Sequence, residues 1–284
     1  MINVLLGLQG LKYLTSTIAL LLFFSIFFEC QAADTSEKST DKLVKTKFLL
    51  GWENDHKSVQ GAIIFELEPG WKTYWRNPGE YGVVPKFDWH NSTNIKEIHF
   101  AWPIPKLFNQ YNVPVLGYKK LLLLPIKIVK KNILKPVILN MNLSFGICSN
   151  ICILKSTTIL TVIDKVDQKN PHGPIRNVLK NLPKKLPQED TLSINCKIFN
   201  YKKELTIEYA MNFKKKPTLE PIAIIEYLPN STMLENHIIT KRENEFFVRA
   251  SLESLLKAEG AIERKRINSF FVYNDTALEI KGCS

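Results

Sequence analysis

Apolar and polar residues alternate with a period of two along most of this chain, and Pro, Gly, Asn and Ser cut the alternation into short runs. Between Lys45 and Asp164 such runs occur at residues 48–52, 59–67, 71–75, 95–102, 120–129, 137–145 and 157–163. Turn signals lie between them: Pro69-Gly70, and the loop Arg76-Asn77-Pro78-Gly79-Glu80-Tyr81-Gly82. Helical periodicity is absent from this stretch. Several short strands separated by turns predict an all-β domain, an immunoglobulin-like β-sandwich, over residues 33–165.

Residues 166–190 break the pattern. Pro171, Pro174, Pro183 and Pro187 bracket one short amphipathic piece, Ile175 to Leu182, which reads as a single helical segment in a linker. Alternation then resumes at residues 191–199 and 204–211, joined by Asn200-Tyr201-Lys202, and continues at 222–227, 245–252 and 268–273. Residues 252–259 have helical character. A second, smaller β-rich domain over residues 191–284 follows from this.

The N-terminus is different in kind. Lys12 precedes the apolar run from Tyr13 to Phe28, and small residues surround Ala32. This is the layout of a secretory signal peptide over residues 1–32, cleaved after Ala32; an uncleaved segment would instead anchor the chain to the membrane. Export to the periplasm is therefore expected. The chain is 284 residues long with net charge +11, and loss of Lys12 and Glu29 leaves that charge unchanged. In an exported protein such charge suits anionic membrane surfaces or acidic partners. The lysines are scattered in pairs, without zinc-finger spacing or an RNA-binding aromatic signature, so no nucleic-acid partner is expected.

Export also places Cys148, Cys152, Cys196 and Cys283 in a compartment where thiols pair. On one straight strand Cys148 and Cys152 would stand about 13 Å apart, beyond the ~7 Å that a disulfide tolerates between Cα atoms. A bond therefore requires a turn at Ser149-Asn150-Ile151, with the cysteines across the neck of a hairpin. Such a short loop restrains the unfolded chain by only about 2 kcal/mol, whereas joining Cys196 to Cys283 would contribute about 4.6 kcal/mol. The long-range pair suits a structural disulfide, although Cys196 and Cys283 could also stay unpaired. The short-range pair suits reversible opening. Three readings of Cys148 and Cys152 stay open on these residues: a redox-active dithiol, which they favour, an inert loop disulfide in an exported binding module, and a soft-metal site for copper or zinc. The five histidines (His56, His90, His99, His172, His237) show no ligand spacing and methionines number four, so neither a metal nor another cofactor is expected. Lys155 is the cation nearest Cys152 in sequence. Arg76 and Glu80 are candidates to dock a partner or to pair with each other.

A series of ordered motifs carries a family resemblance: Gly70-Trp71-Lys72-Thr73-Tyr74-Trp75-Arg76-Asn77-Pro78-Gly79, then Trp102-Pro103-Ile104-Pro105, Gly117-Tyr118, Leu124-Pro125, and Gly146-Ile147-Cys148 through Cys152. Over roughly residues 45–165 these resemble the periplasmic N-terminal domain of the thiol:disulfide interchange protein DsbD, and stand-alone exported proteins carrying that domain. The resemblance implies an immunoglobulin-like fold in which Cys148 and Cys152 are the redox pair and Cys152 attacks. It also implies a thioredoxin-like or membrane electron donor, and periplasmic disulfide or cytochrome c maturation proteins as acceptors. By position, Phe108-Asn109-Gln110-Tyr111 matches the loop that caps the pair in that family. The cysteines here are spaced more closely than in DsbD, and Ile153 stands where a proline is common. Residues 190–284 resemble no named domain.

Overall fold

The computed structural model describes residues 42–54, 56–79, 82–110, 113–164, 166, 173–184, 192–215, 218, 221–228, 232–234, 236–242, 244–273 and 276–283. The expected signal peptide at 1–32, Glu80 and Tyr111 lie outside the described residues. From Val44 onward the chain forms one compact unit.

Ten strands build the first half: β1 (Val44–Asn54), β2 (Ser58–Leu67), β3 (Lys72–Tyr74), β4 (Lys86–Asp88), β5 (Ile95–Phe100), β6 (Lys106–Gln110), β7 (Val113–Lys119), β8 (Leu121–Lys130), β9 (Val137–Cys148) and β10 (Cys152–Ile163). They form two antiparallel sheets, ordered β1-β2-β8-β5 and β10-β9-β3-β7-β6, with β4 added beside β9. This is an immunoglobulin-like sandwich. Along β9 the odd residues from Val137 to Ile147 are buried while Ile138 and Asn142 are exposed, as a half-buried strand requires. Phe145 meets Phe65 of the facing sheet edge to face, with ring centroids 4.9 Å apart.

β2 is apolar at almost every position because both of its faces are covered. Ile63 and Phe65 face the sandwich core. Ala62 and Ile64 pack with Leu123 beneath Ile175 of helix α1 (Gly173–Lys180). The amphipathic segment expected in a linker is thus a helix that seals the outer face of the first sheet.

The second half contains β11 (Leu192–Tyr201), β12 (Glu204–Phe213), β13 (Ile222–Tyr227), β14 (Thr232–Leu234), β15 (Asn236–Arg242), β16 (Glu245–Ser251), helix α2 (Glu253–Glu259), β17 (Ile267–Tyr273) and β18 (Thr276–Lys281). Its sheets run β11-β12-β16-β15 and β14-β13-β17-β18. Lys202 and Lys203 both adopt positive φ (50° and 70°) in the turn between β11 and β12, the conformation that matches a two-residue turn to the twist of its strands. Tyr209 and Phe271 cross this core with centroids 5.1 Å apart. Cys196 on β11 bonds Cys283 just past β18, with Cα atoms 5.4 Å apart, tying one sheet to the other.

The two sandwiches touch. After α1, Lys184 exchanges backbone hydrogen bonds with Ala277 and Glu279 at the edge of β18. Trp75, following β3, lies edge-on to Phe270 of β17 with centroids 5.3 Å apart.

Candidate functional site

β9 ends on Cys148 and β10 begins on Cys152, so the two residues are cross-strand partners at the tip of a hairpin. The tip is closed by a hydrogen bond from Ser149 N to Ile151 O. The cysteine Cα atoms are 4.1 Å apart and the sulfurs are bonded. Both side chains point away from the sandwich core, on the outer face of the second sheet, where small residues make room for a local cluster. Gly146 is decisive here. A Cβ at that position would stand 2.7 Å from Val83 Cβ and 2.8 Å from Tyr74 Cε2, so glycine lets the Tyr74 ring and Val83 pack closely against the strand. Tyr74, Val115 and Cys148 are buried together, with Val83 and Phe108 packed against them.

The two cysteines differ in exposure. Cys148 is 0% exposed, whereas Cys152 is open to solvent. Gln110 Nε2 donates a hydrogen bond to Cys152 Sγ at 3.1 Å. Tyr74 Oη lies 3.4 Å from the same sulfur and 3.0 Å from Gln110 Oε1. Gln110 belongs to β6, four strands from β10 in sheet order, a distance of about 19 Å across a flat sheet. The contact therefore requires the β6–β7 hairpin to arch over the outer face and bring Phe108 against Cys148 and Gln110 onto Cys152. Phe108 and Gln110 sit on the last part of a strand, where a loop was expected; Asn109 lies between them. Cation–π contacts accompany the arch: Lys72 Nζ of β3 is 5.9 Å from the Phe108 centroid, and Lys119 Nζ, at the base of the same hairpin, is 4.6 Å from it.

A second relationship comes from register. Cys152 pairs with Cys148, Cys148 with Lys72, and Lys72 with Lys119, so one row across β10, β9, β3 and β7 carries two cysteines and two lysines on one face. Lys72 is only 8% exposed, and burial together with the nearby Lys119 charge holds its ammonium below the ordinary lysine range. Lys155, nearest in sequence, is an odd number of residues from Cys152. It pairs with Phe145 on the opposite face and is buried there.

Residues 42–164 match the family described as thiol:disulfide interchange protein DsbD, N-terminal. This stretch is similar to the DsbD N-terminal domain. The crystal structure of the N-terminal periplasmic domain of ScsB from Proteus mirabilis is similar in fold: TM-score 0.61 and 19% identity, over 84% of this chain and 90% of that one. Such coverage reaches beyond residues 42–164, so part of the second sandwich belongs to the shared fold as well. No curated protein matches the chain.

Of the other residues singled out from sequence, Arg76 turns to the second sandwich, where its Nη2 is 2.6 Å from Glu226 Oε2. Lys72, Tyr74 and Lys119 were not read as part of the site. Tyr74 reads as core because it is aromatic and buried, and the lysines are neighbours of the sulfurs only through strand register. Among the described residues no group of three or more His, Cys, Asp or Glu side chains is arranged to hold a metal. No helix among them is long and apolar enough to cross a membrane.

Proposed function

We propose that the DsbD-like domain of this chain passes electrons to disulfide proteins of the periplasm through Cys148 and Cys152. In the reduced protein the exposed Cys152 thiolate attacks a partner disulfide. A mixed disulfide forms and the partner's other sulfur leaves as a thiolate. Cys148 then attacks Cys152 Sγ, the mixed disulfide breaks, and the internal bond is left oxidised while two electrons and two protons pass to the partner. A thioredoxin-like or membrane donor restores the dithiol. The observation that carries this reading is the asymmetry of the pair: one exposed cysteine whose sulfur is met by Gln110 and Tyr74, and one fully buried cysteine bonded to it.

Single substitutions test it. Cys148→Ser is expected to accumulate a mixed disulfide through Cys152 with a thioredoxin-like partner, and Cys152→Ser to accumulate almost none, both with folding retained. A Cys148–Cys152 couple with a reduction potential below about −300 mV, together with no trapped species, would establish an inert loop disulfide instead.

A further inference from the structure

We propose that Lys72 is the cation that stabilises the thiolate of Cys148, and so drives the resolving step of the exchange proposed above, on which this assignment rests. After Cys152 has joined a partner, the intermediate lasts until Cys148 loses its proton and attacks. Cys148 is sealed among Tyr74, Val115, Val83 and Phe108, and burial in apolar surroundings disfavours a thiolate. An adjacent positive charge is what such a thiol needs.

Register supplies one. Lys72 is the direct cross-strand neighbour of Cys148, and side chains paired in this way project from the same face. Lys119 stands one strand further along the row, with the Phe108 ring close to both ammonium groups. Among the described residues, the charged or titratable groups on this face are Lys72 and Tyr74 of β3, Lys119 and the exposed Lys106 from the β6–β7 hairpin, Cys152 of β10, and, further along β9 beside Ser144 and Asn142, Lys86 and Asp88 of β4. β9 brings none, and Phe108 and Gln110 are uncharged. No carboxylate among the described residues bonds Lys72; the charge that acts on it is the cation Lys119. A buried lysine beside another lysine is unfavourable until an anion forms next to it. A thiolate on Cys148 is that anion, and the benefit is mutual: what raises the lysine lowers the thiol. The proton leaves Cys148 for solvent, the thiolate pair forms the S–S bond, and the partner's sulfur departs with the electron pair of the broken bond.

The Cys152→Ser variant of the full chain isolates Cys148, whose thiolate absorbance is followed against pH with the Cys148→Ser/Cys152→Ser double variant as baseline. Adding Lys72→Met is expected to raise the Cys148 pKa by about one unit, and Lys72→Arg to restore it. Lys119→Met, at an exposed position, is expected to give a smaller rise in the same direction. With both cysteines present, Lys72→Met is expected to lengthen the life of the mixed disulfide about threefold, because the loss of thiolate is partly offset by its greater nucleophilicity. An unchanged Cys148 pKa in folded Lys72→Met overturns the assignment, as does a shift that Lys72→Arg fails to restore. If Lys72→Met does not fold, an unchanged pKa in Lys119→Met overturns it. Failure of the exchange reading is distinct: the pKa would shift as expected while no mixed disulfide formed with any partner.

Discussion

The Arg76 guanidinium lies 2.6 Å from the fully buried Glu226 carboxylate and joins the two sandwiches two residues beyond Tyr74, whose hydroxyl touches Cys152. The Arg76 guanidinium carbon is also 4.9 Å from the ring centroids of both Trp75 and Phe270, so aromatic rings from both sandwiches bear on the cation. Burial raises the Glu226 carboxyl above its ordinary value and Arg76 draws it part of the way back. Arg76→Met is therefore expected to destabilise the chain by about 2–3 kcal/mol, discounted for the partial exposure of the arginine. Glu226→Gln in the same background is expected to recover part of that loss, because no orphaned charge remains.

The pH dependence of this variant has a definite sign. A carboxyl raised on folding binds more proton in the folded chain than in the unfolded one, so acidification from neutrality towards the ordinary carboxylate range favours the fold. Removing Arg76 raises Glu226 further. The deficit of Arg76→Met is expected to be largest at neutral pH and to shrink as pH falls, and urea denaturation at a series of pH values measures it.

The two disulfides should separate in their effect on stability. Cys196 and Cys283 are 87 residues apart and join facing sheets, so opening that bond releases a long loop in the unfolded chain. The double variant Cys196→Ala/Cys283→Ala is expected to lose about 4–5 kcal/mol. Cys148→Ser/Cys152→Ser, with a separation of only four residues, is expected to lose about 2 kcal/mol. Denaturant midpoints of the two double variants, taken with equal slopes, check the ordering.

Local pattern carried some of this architecture and not the rest. β9 was legible because one of its faces is buried, and alternation on a half-buried strand is visible in the residues themselves; β10 read as a strand from its β-branched run, although Leu154, Leu160 and Val162 lie on its exposed face. β2, covered on both faces, was legible as an apolar run, but nothing in that run indicates that helix α1 is what covers its outer side. The β6–β7 hairpin escaped notice because Pro114 and Gly117 weaken its strand signal, and the arch that brings Gln110 to Cys152 is a tertiary fact. The same holds for Lys72. It stands 76 positions before Cys148, and only the register of β3 against β9 makes them neighbours. Lys155 shows the converse, since proximity along a strand at odd spacing puts a side chain on the wrong face.

Gly146 is expected to be intolerant of even one methyl group. Its Cβ would collide with Val83 and with the Tyr74 ring, and Tyr74 is buried and cannot swing aside without uncovering Cys148. Gly146→Ala is expected to cost about 1–3 kcal/mol, and to make the Cys148 thiol of the reduced protein more accessible to alkylation. A variant with unaltered stability and unaltered Cys148 protection would show that the Tyr74 ring does not seal the sulfur.

The hydrogen bonds at Cys152 should be readable in its reactivity. Gln110 Nε2 is a donor aimed at the sulfur, and the single proton of Tyr74 Oη can go either to Gln110 Oε1 or to Cys152. A thiolate accepts both donors, whereas a neutral thiol competes for them with its own proton, so the arrangement favours the charged form. Each bond is worth about 1 kcal/mol, which corresponds to roughly a fivefold change in thiolate population. In the Cys148→Ser background, Gln110→Ala and Tyr74→Phe are each expected to raise the Cys152 pKa and to slow its alkylation below that pKa. Gln110→Glu is expected to slow it further, because it replaces the donor with a negative charge beside the forming thiolate. Alkylation rate against pH across the three variants orders these effects. If Gln110→Glu reacted as fast as the parent, Gln110 would be a steric cover only, with no electrostatic part in activating Cys152.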